Sequence, residues 1–208
     1  ISVDILNYFK AKNVKIIISL RGRDLLVNTL DKEKSIKIKN KLKLADHIHT
    51  ISKYMNNILY QKFEQTGKVI YRGQTFPDAD KKKQETIKNS PLKLLVVGRL
   101  VWEKGHIFLL ESILKLKKRG FTLQVDIYGD GEFHEMLQYR IEQLNLEKEV
   151  NLKGFLNNLE LKKIYKDYDV FVQPSMSEAL SNALVDAMLC NLPCVITKVG
   201  GMPEIISH

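Results

Sequence analysis

Arg99 and Lys104 directly follow a short apolar run that ends at Gly98, and they stand at the start of a helical pattern. An arginine grips two phosphate oxygens through parallel N–H bonds, and a lysine adds a point charge. The beginning of a helix contributes partial positive charge of its own. The loop therefore suits a diphosphate, although two ordinary surface cations would read the same way. A second cluster is QPSMSEALSNALVD, running from Gln173 to Asp186. Pro174 stops a strand, and Ser177 predicts a helix cap. The backbone N–H groups of Ala179 and Leu180 would then be first-turn donors without internal partners. Glu178 and Asp186, eight residues apart, would lie about 12 Å apart along that helix. Two acceptors at that distance could hold hydroxyls of two sugars, one on each side of a diphosphate. Alternatively, Glu178 complements the helix dipole and Asp186 is solvated.

Several other chemistries are excluded or disfavoured. The G-x4-G-K-[ST] order of a P-loop is absent. Gly129-Asp130-Gly131 supplies only part of a dinucleotide fingerprint, so a nicotinamide or flavin cofactor is not expected. Cys190 and Cys194, with C-x3-C spacing and no second pair, point to packed thiols and away from zinc. His47 and His49 share one face of a predicted strand with no third ligand nearby, which favours ordinary core or surface histidines.

The elements that must position the loops are legible from Pro91 onward. Strands are predicted at Leu92–Val97, Thr122–Tyr128, Glu149–Leu152, Asp169–Val172 and Pro193–Val199. Between them fall helical patterns at Lys104–Arg119, around Phe133, Leu137, Ile141 and Leu144, at Leu159–Tyr168 and at Glu178–Leu189. Alternation of this kind implies right-handed crossovers and an α/β, doubly wound, parallel (Rossmann-like) sheet. Ligands of such sheets bind beyond the carboxyl ends of the strands, where Gly98 and Gly129 stand. Residues 1–76 hold predicted strands at Val14–Leu20, His47–Ile51 and Lys68–Tyr71, with a helix at Ser52–Tyr60. That is too little to bury a core alone, so this stretch reads as the remnant of a second domain. The polar stretch Pro77–Pro91 reads as a linker, and 92–208 as the second domain.

The 208 residues carry a net charge of +9. The excess is confined to residues 1–90, with 19 Lys+Arg against nine Asp+Glu, while 91–208 hold 14 against 15. Six lysines fall in Asp31–Leu44. A solvated face accounts for them, and a surface drawn to anionic lipid is the second reading. Nucleic acid is not expected, because arginine and aromatic interleaving are sparse there. No apolar run reaches 18 residues and no secretion signal opens the chain, so a cytoplasmic protein is expected, with a peripheral position at the inner face of a membrane as the second reading.

VGRLVWEKG, YGDGEF, VNLKGF, QPSMSEALSNALVDAM and PCVITKVGGMPEII occur in the order found in retaining glycosyltransferases of the GT-B fold, family 4, and residues 92–206 resemble that family throughout. SLRGRDL, ADHIHTISKYM and KVIYRG are similar to the last part of its acceptor-binding domain. The resemblance implies a hexose transferred with retention from a nucleotide diphosphate sugar to an acceptor hydroxyl, in cell-surface glycan or glycolipid synthesis. Its partners would be the donor and a glycan or lipid-linked acceptor. Arg99 and Lys104 would neutralise the diphosphate, and Glu178 would contact the transferred sugar. These three form the catalytic set, and Gly98, Ala179, Leu180, Asp186 and Gly129 complete the donor-binding set. Asp186 replaces the second Glu of the family's Glu-x7-Glu motif and would meet the ribose through a side chain one methylene shorter. Arg21 replaces a His found in many relatives, which speaks against a general base there. Gly200 and Gly201 would close over the sugar, and Glu204 would support the following helix start. The chain is read as lacking an Asp-x-Asp metal triplet, and neither a metal nor another cofactor is expected. Alternatives are a nucleotide-sugar epimerase or phosphorylase of the same fold, or a non-catalytic sugar-nucleotide-binding protein. The missing initiator Met and the short ends suggest a chain truncated on both sides, inactive by itself.

Overall fold

The computed structural model describes residues 2–73 and 91–206, so the expected linker Pro77–Pro91 falls almost wholly outside the described residues. The chain divides into two compact units that are not continuous in sequence. One comprises Ile1–Gly73, Ser177–Leu180 and Val199–His208, the other Gln74–Met176 and Ser181–Lys198.

The first unit contains α1 (Val3–Ala11), β1 (Ile17–Leu20), α2 (Arg23–Leu26), α3 (Lys32–Leu44), β2 (His47–Thr50), α4 (Lys53–Phe63) and β3 (Lys68–Val69). Its three strands are parallel in the order β1-β2-β3. Leu20, Leu25, Leu42, Ile51, Met55 and Leu59 are buried together, and Ala179 joins them from far along the chain. In the lysine-rich stretch, Ile36, Ile38, Leu42 and Leu44 alternate with lysines and polar residues almost as in a strand, so the pattern alone predicts no helix there. The stretch is nevertheless the helix α3. Asp31 starts it by accepting the Lys34 backbone N–H at 3.0 Å, and Leu42 anchors it in the core. The same N–H is the main cause holding the Asp31 carboxyl below its ordinary range.

The second unit contains β4 (Leu92–Val97), α5 (His106–Lys118), β5 (Leu123–Tyr128), α6 (His134–Gln143), β6 (Val150–Gly154), α7 (Asn158–Ile164), β7 (Val170–Gln173), α8 (Asn182–Leu189) and β8 (Cys194–Ile196). All strand pairings are parallel, in the order β6-β5-β4-β7-β8, as the alternation predicts. β4 is central, which is why Leu94, Leu95 and Val96 are all buried although they point to alternate faces. Leu109, Leu110 and Ile113 of α5 pack with Val125, Ile127, Leu137 and Ile141 over one face of the sheet. The α5 helix starts later than expected because Gly105, at φ 65°, separates it from a 3-10 turn at Trp102–Lys104. The helical pattern after Leu159 ends early, at Ile164, and continues as a 3-10 turn over Tyr165–Asp167. Among the described residues, no helix is long and apolar enough to cross a membrane.

Leu110 is fully buried in this core. Leu110→Ala is expected to lower unfolding free energy by about 2–5 kcal/mol, read from guanidinium unfolding midpoints.

Candidate functional site

In the second unit, the loop after β4 is held by its main chain. The Gly98 N–H donates to the Tyr128 carbonyl at 2.9 Å, the Leu100 N–H to Asp130 at 2.9 Å, and the Phe133 N–H back to Leu100 at 2.9 Å. Gly129, at φ 149°, closes against this loop so tightly that a Cβ there would lie 1.8 Å from the Gly98 oxygen. Only glycine fits. Arg99 is exposed, and Lys104 lays its methylenes beside Gly98. The Met176 N–H donates to the Glu103 carbonyl at 2.8 Å, so the loops after β4 and β7 meet within this unit. The expected cations and both strand-end glycines are thus gathered at the carboxyl ends of β4 and β5.

The segment after β7 differs from the expectation. No helix begins at Ser177. α8 begins at Asn182, capped by Ser181, whose Oγ accepts the Leu184 N–H at 3.1 Å. Ser181 is buried and donates its own proton to Gln173 Oε1 at 2.6 Å, while Gln173 Nε2 donates to Ser175 Oγ at 3.2 Å. Both serines are good caps by type. The choice falls on Ser181 because its hydroxyl completes a buried polar chain, and because Ala179 is drawn into the other unit's core. Ala179 and Leu180 therefore do not provide first-turn N–H groups, and Glu178 and Asp186 do not share a helix. Asp186 sits half-buried on α8. Its charge reaches the buried Tyr165 and Cys190 and, after burial itself, helps raise the pKa of each.

In the first unit, three loops converge. Gly22, after Arg21 at the end of β1, approaches Ala179 so closely that a Cβ on Gly22 would lie 3.0 Å from the Ala179 Cβ. The Glu178 carbonyl accepts the Gly201 N–H at 3.1 Å, and a Cβ on Gly200 (φ 60°) would lie 1.7 Å from that same oxygen. Arg21 is exposed, and Glu178 is half-buried. Glu204 does support a helix start, though not the following one. Its carboxylate accepts the backbone N–H groups of Lys53 and Tyr54, each at 2.8 Å, and the Tyr71 hydroxyl at 2.7 Å. Ser52 takes the Met55 N–H at 3.1 Å. Three first-turn donors of α4 are thereby satisfied, one by a local cap and two by a carboxylate some 150 positions away. The Glu204 charge also raises the Tyr71 pKa. A local motif could not reveal this partner.

Other candidates resolve simply. Burial pushes the Cys190 and Cys194 thiols up to about 11. His49 donates from Nε2 to the Ile70 carbonyl at 2.9 Å, which leaves Nδ1 to accept from Ser19 Oγ at 2.8 Å. Asp-x-Asp pairs do occur away from the expected loops. Asp78 and Asp80 lie outside the described residues, and Asp169 of the pair Asp167/Asp169 accepts the Lys93 N–H at 2.9 Å. Among the described residues, no three His, Cys, Asp or Glu side chains are placed to hold a metal ion.

A parallel sheet ordered about a central strand, with its loops gathered at the carboxyl edge, is the architecture of a doubly wound α/β protein. Residues 77–208 match the family described as glycosyl transferases group 1, and the chain belongs to that family. It is 36% identical over 115 residues to an uncharacterised glycosyltransferase of Methanocaldococcus jannaschii, covering 55% of this chain and 29% of that one. It is 34% identical over 123 residues to the putative colanic acid biosynthesis glycosyltransferase WcaL of Escherichia coli, covering 56% and 30%. The matched region thus spans about 30% of the length of these curated relatives. The fold matches Anabaena Alr3699/HepE, solved with UDP and glucose, at a TM-score of 0.80 and 22% identity, over 99% of this chain and 59% of that one. The architecture is GT-B.

Glu204→Ala strips two donors of α4 of their acceptor. It is expected to destabilise the first unit by about 1–2 kcal/mol, measured by denaturant unfolding, with Glu204→Gln recovering part of the loss.

Proposed function

We propose that the protein is a retaining, family 4 glycosyltransferase that moves a hexose from a nucleotide diphosphate sugar to an acceptor hydroxyl. The observation that carries this reading is the pairing of Arg99 and Lys104 on one main-chain-braced loop at the end of the central strand, within a segment that belongs to the group 1 transferases. When the bond between the anomeric carbon and the diphosphate breaks, negative charge grows on the departing oxygen. Arg99 and Lys104 stabilise that charge, with the guanidinium taking two oxygens and the ammonium a third. Glu178 orients the transferred sugar by accepting from its hydroxyls, and Asp186 accepts from the ribose. Gly98 and Gly129 leave room for the donor to approach the backbone. Binding of UDP and glucose by the Anabaena neighbour supports a sugar nucleotide as donor. The colanic acid assignment of WcaL supports a glycan or lipid-linked acceptor in surface polysaccharide synthesis. No metal is required in this scheme, because the two cations supply the charge.

Arg99→Ala and Lys104→Ala in the whole protein should each lower kcat/KM for the sugar nucleotide about 10- to 100-fold, the worth of a charged hydrogen bond. Unchanged turnover in both would remove the diphosphate assignment.

We further propose a peripheral contact with anionic membrane through α3. Lys32, Lys39 and Lys43 lie on one exposed face of this helix, with Ile36, 52% exposed, among them. Each cation near such a surface contributes about 1 kcal/mol. Co-sedimentation with phosphatidylcholine vesicles should appear when phosphatidylglycerol is added and fade with salt. Replacing the three lysines by glutamate should abolish it, and equal binding to neutral vesicles would contradict it.

A further inference from the structure

The buried imidazole of His106 has no part in the scheme above. His106 is the first residue of α5 and is 4% exposed. Its Nε2 lies 3.2 Å from the Arg99 carbonyl oxygen. A carbonyl can only accept, so Nε2 carries the proton and donates. Nδ1 is also buried and, among the described residues, has no hydrogen-bond partner. The Arg99 carbonyl accepts a second bond, 3.0 Å, from the Val101 N–H.

The unpartnered Nδ1 matters. A buried acceptor without a donor is a cost that a leucine or methionine of similar size would avoid. The favourable return visible in the structure is the bond from Nε2–H to Arg99. A second proton would have to sit on Nδ1, where no acceptor among the described residues meets it and where the Lys104 charge opposes it. Burial, foremost, and Lys104 accordingly hold the ring's pKa below its ordinary value. The imidazole thus stays neutral with its single proton committed, which suits a fixed strut and rules out proton delivery to a leaving group.

We propose that His106 is a positioning residue for the anion-binding loop: its Nε2–H ties the Arg99 carbonyl to the start of α5 and so keeps the Arg99 side chain directed outward beside Lys104. The proposal rests on the reading that this loop takes the donor's diphosphate.

The test compares His106→Gln, whose amide nitrogen reaches the place of Nε2, with His106→Leu, which fills similar space without a donor. Binding of inorganic pyrophosphate and of UDP is measured by titration calorimetry on the whole protein, with thermal melting followed in parallel. His106→Leu should weaken both ligands at least tenfold, while His106→Gln stays within about threefold of the parent. Nitrogen-15 NMR of the parent should show the Nε2–H tautomer at neutral pH. Parent-like binding by His106→Leu, equal loss in both variants, or a proton on Nδ1 would each overturn the proposal. Should the leucine variant fail to fold, the glutamine variant and the tautomer still decide. The Arg99→Ala/Lys104→Ala double variant separates the two ideas. If it binds as the parent does, the diphosphate reading fails. If it does not and His106→Leu does, only the role of His106 fails.

Discussion

Two like charges on a single short loop repel each other, and on the proposed reading the loop offers them to an anion and does not bury them for stability. The fold after β4 answers this constraint with main-chain contacts. Gly98 and Leu100 bond to the loop after β5, Phe133 bonds back to Leu100, and Met176 bonds to Glu103. The backbone is fixed on several sides while Arg99 stays exposed. The proposed stabilisation of a leaving group would draw on this arrangement, because donors held in advance undergo little reorganisation as charge develops. The parallel sheet is what makes the bracing available. Strands entering side by side deliver their following loops to the same edge, where backbone groups not used by the sheet bond to one another.

The first unit meets a similar demand by different chemistry. Its convergent loops are joined by close approach and by one carboxylate. Gly22 abuts Ala179, Gly200 and Gly201 abut the backbone of Glu178 and Ala179, and Glu204 reaches the first turn of α4. A carboxylate is well suited to such a place. It accepts several N–H bonds at once, and its charge complements the positive end of a helix. The segment Gly200–Glu204 is thus tied at one end to the Glu178 carbonyl and at the other to α4. The short stretches Ser177–Leu180 and Val199–His208 group with this unit because their partners are there, although the strand pattern reads them with the second domain.

What the sequence disclosed follows from how local each signal is. The five strands of the second unit were legible because a central parallel strand must be apolar on both faces, and Leu92–Val97 is. The cations and strand-end glycines were legible because they adjoin those strands directly. The start of α8 was not. Ser177 and Ser181 offer the same hydroxyl four residues apart, and the choice depends on Gln173 and on where Ala179 packs. The α3 helix was hidden by near-alternation of lysine with isoleucine and leucine, and only burial of Leu42 shows which face turns inward. The reach of Glu204 to α4 is a tertiary fact with no local trace.

These cases bear on how Glu178 and Asp186 are to be understood. A shared helix would have fixed the distance between them rigidly, and with it the length of ligand they could span. With Glu178 on a loop and Asp186 on α8, each carboxylate is instead placed by its own surroundings. Glu178 is set by the Gly200–Gly201 contact, and Asp186 by a helix whose cap is bonded into β7. The shortening of the second acidic residue by one methylene is then a local change, because α8 takes its position from Ser181 and Gln173 and not from Glu178. Substitution at either carboxylate is accordingly expected to act first through its own element, the Gly200–Gly201 contact for Glu178 and α8 for Asp186.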